Sequence, residues 1–310
     1  MRNTVYCVLC VVVTLMIGGL AARYVSDSWM LAFFESLQTH IGLASVAGAL
    51  LALVIRRHWY AGVLLVASLL LVGHAVLMLR EYAVAATPSS AQPSFRLLSF
   101  NIDNSNFENG ARIADLILGS DADVVEIFEA APLLSEMPRL SVTYPYRIGC
   151  GTMAKECDSV LLSRRPLLTP QISDLGVLWL NRFIMTTIDM NGQPVTFATA
   201  HLSKPYFDDF HQSELDDLID ILATVKQPLI LAGDFNTAVI APDMRSFLER
   251  SDLRHLFPEP STWPIMAGSL GISIDHVFAR APLQLKSVKR IEDAMGSNHY
   301  GLLTEFTVAK

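Results

Sequence analysis

The sequence predicts an α/β fold for the C-terminal two thirds of the chain, preceded by a group of apolar helices. From about residue 95 to residue 308, short apolar runs with the composition of β-strands alternate with a few amphipathic helical patterns. Several of these runs end in Asp, Asn, Glu or His. The first ~85 residues instead contain three long apolar runs with few charges, a pattern typical of membrane-spanning helices.

The order of elements in the α/β part follows from these runs. The helix predicted at 210–224 has apolar residues on one face and acidic residues on the other, as expected of a helix packed on a sheet. Strands are predicted at 95–100, 123–128, 159–162, 183–189, 194–200, 228–232, 271–279 and 302–308, and further helices at 111–118 and 243–250.

Charge is distributed unevenly along the 310 residues, of which 52% are apolar. The whole chain has a net charge of −7, whereas the part from Ser94 onward has 18 basic and 27 acidic residues, a net charge of −9. A domain with this net negative charge is not expected to bind along the phosphate backbone of a long nucleic acid. A bound cation can reverse the local charge, so composition does not exclude cleavage of a polyanion.

Residues 1–86 are predicted to form a three-helix transmembrane anchor. The helices are expected at about 4–22, 38–55 and 59–79, because a membrane span needs about 20 apolar residues. A cleaved signal peptide is the alternative for the first run, but two further apolar runs follow closely and favour an anchor. The Pro/Ser-rich segment 87–94 is predicted to be a linker to a domain that spans 95–310.

Basic residues give the orientation expected for the anchor. Arg2 precedes the first helix, and Arg56 and Arg57 lie in the short turn between the second and the third. Because Lys and Arg prefer the cytoplasmic side, three crossings place the C-terminal domain outside the cytoplasm. Cys150 and Cys157 lie close together in the sequence and can form a local disulfide in an oxidising compartment.

The segment Leu229–Thr237 combines an apolar run of strand type with two polar side chains. The run ends at Gly233 and is followed by Asp234 and Asn236. Positions i and i+2 of an extended chain share a face, so both side chains are expected to point into one space. A carboxylate and an amide placed together suit a hard cation and a phosphate. The alternative is a turn in which Asp and Asn satisfy only backbone groups.

Polar side chains follow other predicted strands as well. Asn101, Glu129 and His201 each come directly after an apolar run. An ionised glutamate beyond a buried strand needs a partner, which a metal ion, an arginine or solvent would supply. Asp275 lies inside a predicted strand and is costly to bury unless it is paired. His299 is an available partner, and a histidine held by an aspartate suits a general base.

Six short segments carry these polar positions in a recognisable order along the chain. They are Ser-Phe-Asn-Ile-Asp at 99–103, Asp-Val-Val-Glu-Ile-Phe-Glu at 123–129, Ala-His-Leu at 200–202, Leu-Ala-Gly-Asp-Phe-Asn-Thr at 231–237, Ser-Ile-Asp-His-Val-Phe at 273–278 and Ser-Asn-His at 297–299. Their order resembles the deoxyribonuclease I-like endonuclease/exonuclease/phosphatase superfamily, in particular its membrane-anchored bacterial members. The resemblance covers about residues 95–308.

The resemblance implies a four-layer α/β/β/α sandwich, in which helices flank two mixed β-sheets and the site lies at one end. It also implies a divalent metal ion, Mg²⁺ or Mn²⁺. By similarity, Glu129 is the main carboxylate ligand and Asn101 lies nearby, and Asp234 and Asn298 are further candidate metal positions. Asn298 stands where the superfamily usually has aspartate, so one negative charge is missing there.

The resemblance also implies roles in substrate binding and catalysis. Asp234 would orient or activate the attacking nucleophile, and Asn236 would contact the phosphate. His201 would contact the scissile phosphate or assist the leaving group. His299, held by Asp275, would act as general base or stabilise the transition state. Trp263 is expected at the rim of the site, with packing in the core as the alternative.

These expectations describe a metal-dependent phosphoric-ester hydrolase of the phosphodiesterase or phosphatase type. We expect it in a bacterial inner membrane as a multi-pass protein, with the catalytic domain outside the cytoplasm. Its substrate would be a lipid headgroup, a small molecule or a nucleic acid, and no protein partner is evident. The alternatives are an extracytoplasmic nuclease of the same fold and, because of Asn298, a catalytically degenerate binding domain.

Overall fold

The structure is a computed structural model that describes residues 1–26, 28–86 and 94–308. It confirms an α/β fold with two mixed sheets flanked by helices. The predicted linker lies outside the described residues, except for Ser94. The helices are α1 (Arg2–Ala21), α2 (Ala32–Ser36), α3 (Gln38–Ile55), α4 (Trp59–Glu81), α5 (Gly110–Gly119), α6 (Met137–Leu140), α7 (Phe210–Ala223) and α8 (Pro242–Ser251).

The strands are short, as the apolar runs predict. They are β1 (Ala83–Val84), β2 (Ser94–Asn101), β3 (Val124–Phe128), β4 (Tyr146–Ile148), β5 (Ser159–Ser163), β6 (Gln171–Leu175), β7 (Trp179–Asp189), β8 (Pro194–His201), β9 (Leu229–Asp234), β10 (His255–Leu256), β11 (Asp275–Ala279), β12 (Leu283–Arg290) and β13 (Leu302–Val308).

The described residues form two compact units. The first consists of Met1–Glu81, Pro205–Asp209 and Thr237–Ser246, and the second contains the remaining parts of Tyr82–Lys310. In the first unit, three helices are long and apolar enough to cross a membrane, with mean hydropathies of 2.5, 1.7 and 2.5. Their packing uses small residues. A Cβ added to Gly42 or to Gly48 would lie 2.8 Å or 2.7 Å from a valine methyl group of a neighbouring helix.

The first unit also holds the segment that follows the Asp234 motif in the chain. The Arg23 guanidinium donates a hydrogen bond of 2.7 Å to the Ile240 carbonyl. The Ser36 hydroxyl accepts a hydrogen bond from the Ala238 amide at 3.2 Å. Removing the N-terminal helices would leave Thr237–Ser246 without these partners.

The second unit contains the two sheets. One has the strand order β12-β13-β2-β3-β5-β4 and the other has the order β11-β9-β8-β7-β6. The β2–β3 and β8–β9 pairs are parallel, while their other pairs are antiparallel. One apolar cluster fills the space between the sheets, with Leu97, Ile184 and Phe306 among its members. A second cluster lies between the first sheet and α5. On the second sheet, α7 buries the apolar face predicted for it.

In each sheet, one parallel pair of strands places two of the predicted polar motifs side by side at the ends of the strands. Asn101 ends β2, and Glu129 directly follows β3, which runs beside it. His201 ends β8 and pairs with Asp234 at the end of β9. β9 approaches β8 so closely that a Cβ at Gly233 would overlap the Ala200 carbonyl. This contact explains why the motif has glycine before its aspartate.

Candidate active site

Asn101 lies at the centre of the gathered polar groups and is buried. Its side-chain amide donates hydrogen bonds to Glu129 Oε1 at 3.2 Å and to Asp234 Oδ2 at 2.9 Å. The Glu129 backbone has a φ of 54°, a left-handed conformation at the end of β3 that turns its side chain into the site. Two acidic side chains therefore converge on one amide group.

Asp234 makes the turn interaction considered from the sequence and also faces the other polar groups of the site. One carboxylate oxygen accepts a hydrogen bond of 2.9 Å from the Asn236 backbone amide, which is the turn interaction. The other oxygen faces Asn101 and the two site histidines. The expected strand alternation does not extend to Asn236, because β9 ends at Asp234 and Asn236 has a φ of 53°. The Asn236 amide instead donates to the Leu202 carbonyl at 3.0 Å.

His299 and Asp275 form a buried pair, as the sequence led us to expect. His299 Nδ1 lies 2.9 Å from Asp275 Oδ2, and His299 Nε2 lies 3.8 Å from Asp234 Oδ2. Burial alone would lower the pKa of His299, but the charges of Asp275 and Asp234 outweigh burial and raise the pKa to about 9. Ser297 fixes the loop, since its hydroxyl donates to the Asn101 carbonyl at 2.7 Å and accepts from the His299 amide at 3.1 Å.

His201 is oriented by a residue that the sequence analysis missed. Its Nδ1 lies 2.8 Å from Asp158 Oδ2, and its Nε2 lies 3.9 Å from Asp234 Oδ2. The guanidinium of Arg182 in β7 lies 3.0 Å from the other Asp158 oxygen. Burial acts to raise the pKa of Asp158, but the hydrogen bond from His201 and the nearby charges more than offset it, and the pKa is lowered. Asp158 therefore stays ionised beside His201.

Asp158 was missed because it precedes a strand instead of following one. β5 runs antiparallel to β3, with Ser159 opposite Phe128. The first residue of β5 therefore lies beside the last residue of β3, next to Glu129. A polar residue directly before the predicted strand at 159–162 was the available signal.

Replacing Asp158 by asparagine is expected to lower kcat by about 10- to 100-fold, because asparagine cannot hold His201 in the same tautomer or balance a positive imidazole. Steady-state hydrolysis over a range of substrate concentrations checks this. Asp293→Asn, at an exposed carboxylate, is the matched control. A lower melting temperature with unchanged kcat would instead assign a purely structural role to Asp158.

The structure does not bring every predicted residue into this cluster. Asn298 is exposed, although its neighbours Ser297 and His299 are buried. Trp263 is half-buried and pairs through its backbone with Ile272. The roles predicted for Asn298 and Trp263 therefore stay predictions.

The cluster suits a hard divalent cation. Ligand atoms of Asp234, Asp275 and His299 all lie within 4.8 Å of one another, and all three residues are buried. Because His299 is engaged with Asp275, the carboxylates are the groups of this cluster that would hold the cation. Asp275 Oδ1 is buried without a hydrogen-bond partner among the described residues, and a cation or water would satisfy it. The Glu129 carboxylate belongs to the same cluster, because it accepts a hydrogen bond from the Asn101 side chain. The Asn101 side-chain oxygen Oδ1 already accepts a hydrogen bond from the Asp103 backbone amide at 3.1 Å, so the carboxylates are the better metal ligands.

The sandwich of two sheets flanked by helices is a fold shared with several solved structures. An endonuclease/exonuclease/phosphatase from Bacteroides vulgatus superimposes with a TM-score of 0.59 at 15% identity, covering 70% of this chain and 100% of that one. The human Nocturnin catalytic domain with bound sulfate gives 0.57 at 19% identity, covering 71% and 97%. D. rerio TDP2 complexed with a single-strand DNA product gives 0.56 at 17% identity, covering 69% and 99%.

Sequence comparison gives the family directly. Residues 98–299 match the model of the Endonuclease/Exonuclease/phosphatase family. The chain belongs to this family, as the six motifs predicted. Comparison with curated proteins gave no significant match. Members of the family include phosphoesterases and nucleases, so the family defines hydrolysis of phosphoester bonds as the class of chemistry and leaves the substrate open.

Proposed function

We propose that this protein is a metal-dependent phosphoric-ester hydrolase anchored in a membrane. The observation that carries the proposal is the arrangement around Asp234. One of its oxygens faces Nε2 of both His201 and His299 at 3.9 Å and 3.8 Å, and each histidine is held through Nδ1 by its own aspartate. Such a group of oriented acids and bases is typical of a catalytic site and costly as a purely structural element.

The proposal gives each residue a role in attack on phosphorus, and the geometry supports it as follows. With Nδ1 held by Asp275, His299 presents Nε2 to the substrate, where it can exchange a proton with water or donate to a phosphoryl oxygen. Asp234 can accept a hydrogen bond from the attacking water and orient it. His201 is placed to contact the phosphate or assist the leaving oxygen. Mg²⁺ or Mn²⁺ held by Glu129 and Asp234 would neutralise phosphoryl charge.

Three features support a membrane location with the site outside the cytoplasm. The chain has three helices of spanning length, and the basic turn at Arg56 and Arg57 favours the cytoplasmic side. Cys150 and Cys157 form a disulfide, which favours an oxidising compartment. A bacterial inner membrane with a periplasmic catalytic domain fits these features.

A lipid headgroup or another small phosphoester fits the acidic surface better than duplex DNA does. The net charge of −9 from Ser94 onward opposes binding to a long polyanion. A nuclease is the second candidate, because D. rerio TDP2, which has the same fold, was solved with a single-strand DNA product. A degenerate binding domain is less well supported, since Asp234, Asp275, His201 and His299 are all present and close together.

Hydrolysis of an aryl phosphodiester and an aryl phosphomonoester by the detergent-solubilised 310-residue chain tests the function. We expect turnover with Mg²⁺ or Mn²⁺ and a fall of about 10²-fold or more on chelation, because phosphoryl charge would lose its neutralising cation. Glu129→Gln should raise the metal concentration needed for half-maximal rate, while the exposed Glu108→Gln serves as control.

Absence of turnover with either metal, in protein with an intact melting transition, would contradict the enzyme proposal and favour the degenerate binding domain. Single-strand DNA as substrate separates the two enzyme candidates. A nuclease should lose activity steeply as salt increases, whereas a hydrolase of small phosphoesters should not.

A further inference from the structure

The hairpin between β6 and β7 exposes a run of apolar residues at its tip. Val177, Leu178, Trp179 and Leu180 are consecutive, and 84%, 44%, 49% and 60% of their respective surfaces are accessible. Isolated exposed apolar residues are common on soluble proteins, but a continuous run at a projecting turn marks an interaction surface. We call these four residues the hairpin tip.

The hairpin tip is held in place by its surroundings. Gly176 has a φ of 64°, and its amide donates to Asp217 Oδ2 at 3.0 Å. The Asn181 amide donates to Asp174 Oδ1 at 2.6 Å on the other side of the turn. The exposed apolar run therefore belongs to a defined turn, so a partner would meet a surface that is already formed.

The hairpin tip is also connected to the candidate active site. The Arg182 guanidinium lies over the Trp179 ring at 4.4 Å and contacts Asp158 at 3.0 Å, and Asp158 in turn contacts His201. Trp179 thus has its indole stacked on a cation on one side and half of its surface exposed. Tryptophan in such a setting is favoured at the boundary between a membrane and water.

The charges near the tip select the kind of partner. Asp174 and Asp217 bind the turn, and Glu156 accepts a hydrogen bond from Asn181 at 2.7 Å. Arg182 is the cation beside them, and it is already paired with Asp158. This acidic surrounding disfavours an anionic lipid surface or an acidic peptide. An uncharged apolar partner is the best match.

Because the chain has three helices of spanning length, a bilayer is the apolar surface expected next to it. The last helix of spanning length ends at Glu81, and β1, which pairs with β10 of the second unit, begins at Ala83. Tyr82 is the one residue between α4 and β1 in the chain, so the second unit begins directly after the last helix of spanning length. A bilayer is therefore within reach of the second unit at all times, whereas another protein partner must first be encountered.

We propose that the hairpin tip inserts into the interfacial layer of a bilayer whose zwitterionic headgroups carry no net charge. This proposal rests on the membrane anchoring in the proposed function and adds a second membrane contact, made by the catalytic unit. Four apolar side chains leave water when they insert, and the contact should therefore depend little on salt. Through Arg182 and Asp158, the contact would place His201 near headgroup phosphates.

A probe placed on the tip tests the insertion without relying on hydrolysis. In a Cys7→Ser, Cys10→Ala background, Val177→Cys is labelled with an environment-sensitive fluorophore and reconstituted into phosphatidylcholine vesicles with a share of nitroxide-labelled lipid. Val142→Cys is the matched control, because Val142 is also exposed, at 85% against 84% for Val177. We expect at least about twofold quenching at position 177 and little at position 142.

The outcomes separate this proposal from its alternatives and from the proposed function. A label at Trp179→Cys should be quenched, and Val177→Ser, Leu178→Ser and Leu180→Ser introduced together should abolish that quenching. The same triple variant should leave turnover of the soluble aryl ester within about twofold, since these three side chains are exposed and Trp179, which contacts Arg182, is unchanged. Equal quenching at positions 177 and 142, no quenching at 177, or energy transfer between tips of two copies would overturn the proposal.

Discussion

Replacing His299 by alanine is expected to lower kcat for a phosphodiester by about 10²- to 10⁴-fold, the range found when a positioned acid or base is removed. The reason is geometric. His299 directs Nε2 towards Asp234 at 3.8 Å, and Asp275 fixes its ring at 2.9 Å. Asp275→Asn should cause a smaller loss, because the imidazole stays in place but loses the charge that supports its protonated form.

His255→Ala is the matched control for this prediction. His255 is equally buried and faces the Glu259 carboxylate at 3.6 Å, but it lies in β10, away from the polar cluster. We expect the control to lose thermal stability and to keep its kcat per folded molecule. Equal losses of kcat in both variants would show that His299 acts through folding alone, and the roles assigned to Asp234 and Asp275 would then need revision.

The site could be predicted from the sequence largely because the fold gathers strand ends. Asn101, Glu129, His201 and Asp234 each follow an apolar run, and parallel pairing places the ends of neighbouring strands side by side. Asp275 joins them because β11 runs antiparallel to β9, with Asp275 opposite Asp234. A search for polar residues directly after apolar runs identifies these positions. It misses Asp158, because Asp158 precedes β5.

The strands absent from the sequence prediction include β4, β6 and β12, which all lie at sheet edges. Edge strands have one face or one side in water, so their apolar pattern is weak. β6 and β12 both show a mixed pattern of burial. The exposure of the hairpin tip could not be predicted from the sequence either, for a different reason. Its apolar residues look like the beginning of a buried strand, and the sequence holds no sign that they face solvent.

The packing of Thr237–Ser246 with the N-terminal helices was also beyond the reach of sequence patterns. Arg23 and Ile240 are more than 200 residues apart in the chain, and a hydrogen bond between a guanidinium and a carbonyl leaves no periodic signal. Arg23 lies at the end of a span, where a charged residue is ordinarily read as an anchor at the membrane surface. The structure shows that Arg23 instead binds a segment from the C-terminal half of the chain.

Glu126 is the buried group that the proposed mechanism leaves unused. It lies in β3, on the same strand face as Val124, which belongs to the cluster between the two sheets. Its side chain is fully buried, and neither carboxylate oxygen has a hydrogen-bond partner among the described residues. Burial raises the pKa of Glu126 well above its ordinary value, because burial disfavours the charged form of the carboxyl group.

The raised pKa of Glu126 sets the direction of a pH effect on stability. The folded state binds a proton more tightly than the unfolded state, so protonation of Glu126 contributes stability below the unfolded pKa. This contribution is lost as the pH rises through the folded pKa. The wild-type melting temperature should therefore contain a component that falls as the pH rises above the unfolded pKa of glutamate, which is about 4.3.

Glu126→Leu is expected to stabilise the protein by about 1–3 kcal/mol at pH 5, because leucine removes a polar group that is buried without a partner. The difference between variant and wild type should grow towards pH 8, where wild type must either bury a charge or retain a proton. Melting temperatures of the detergent-solubilised chain at several pH values measure both effects. Glu108→Leu, at an exposed position, should change stability by less than about 0.5 kcal/mol at any pH. A destabilised Glu126→Leu variant would contradict the prediction and show that the carboxyl group makes a stabilising contact between the sheets.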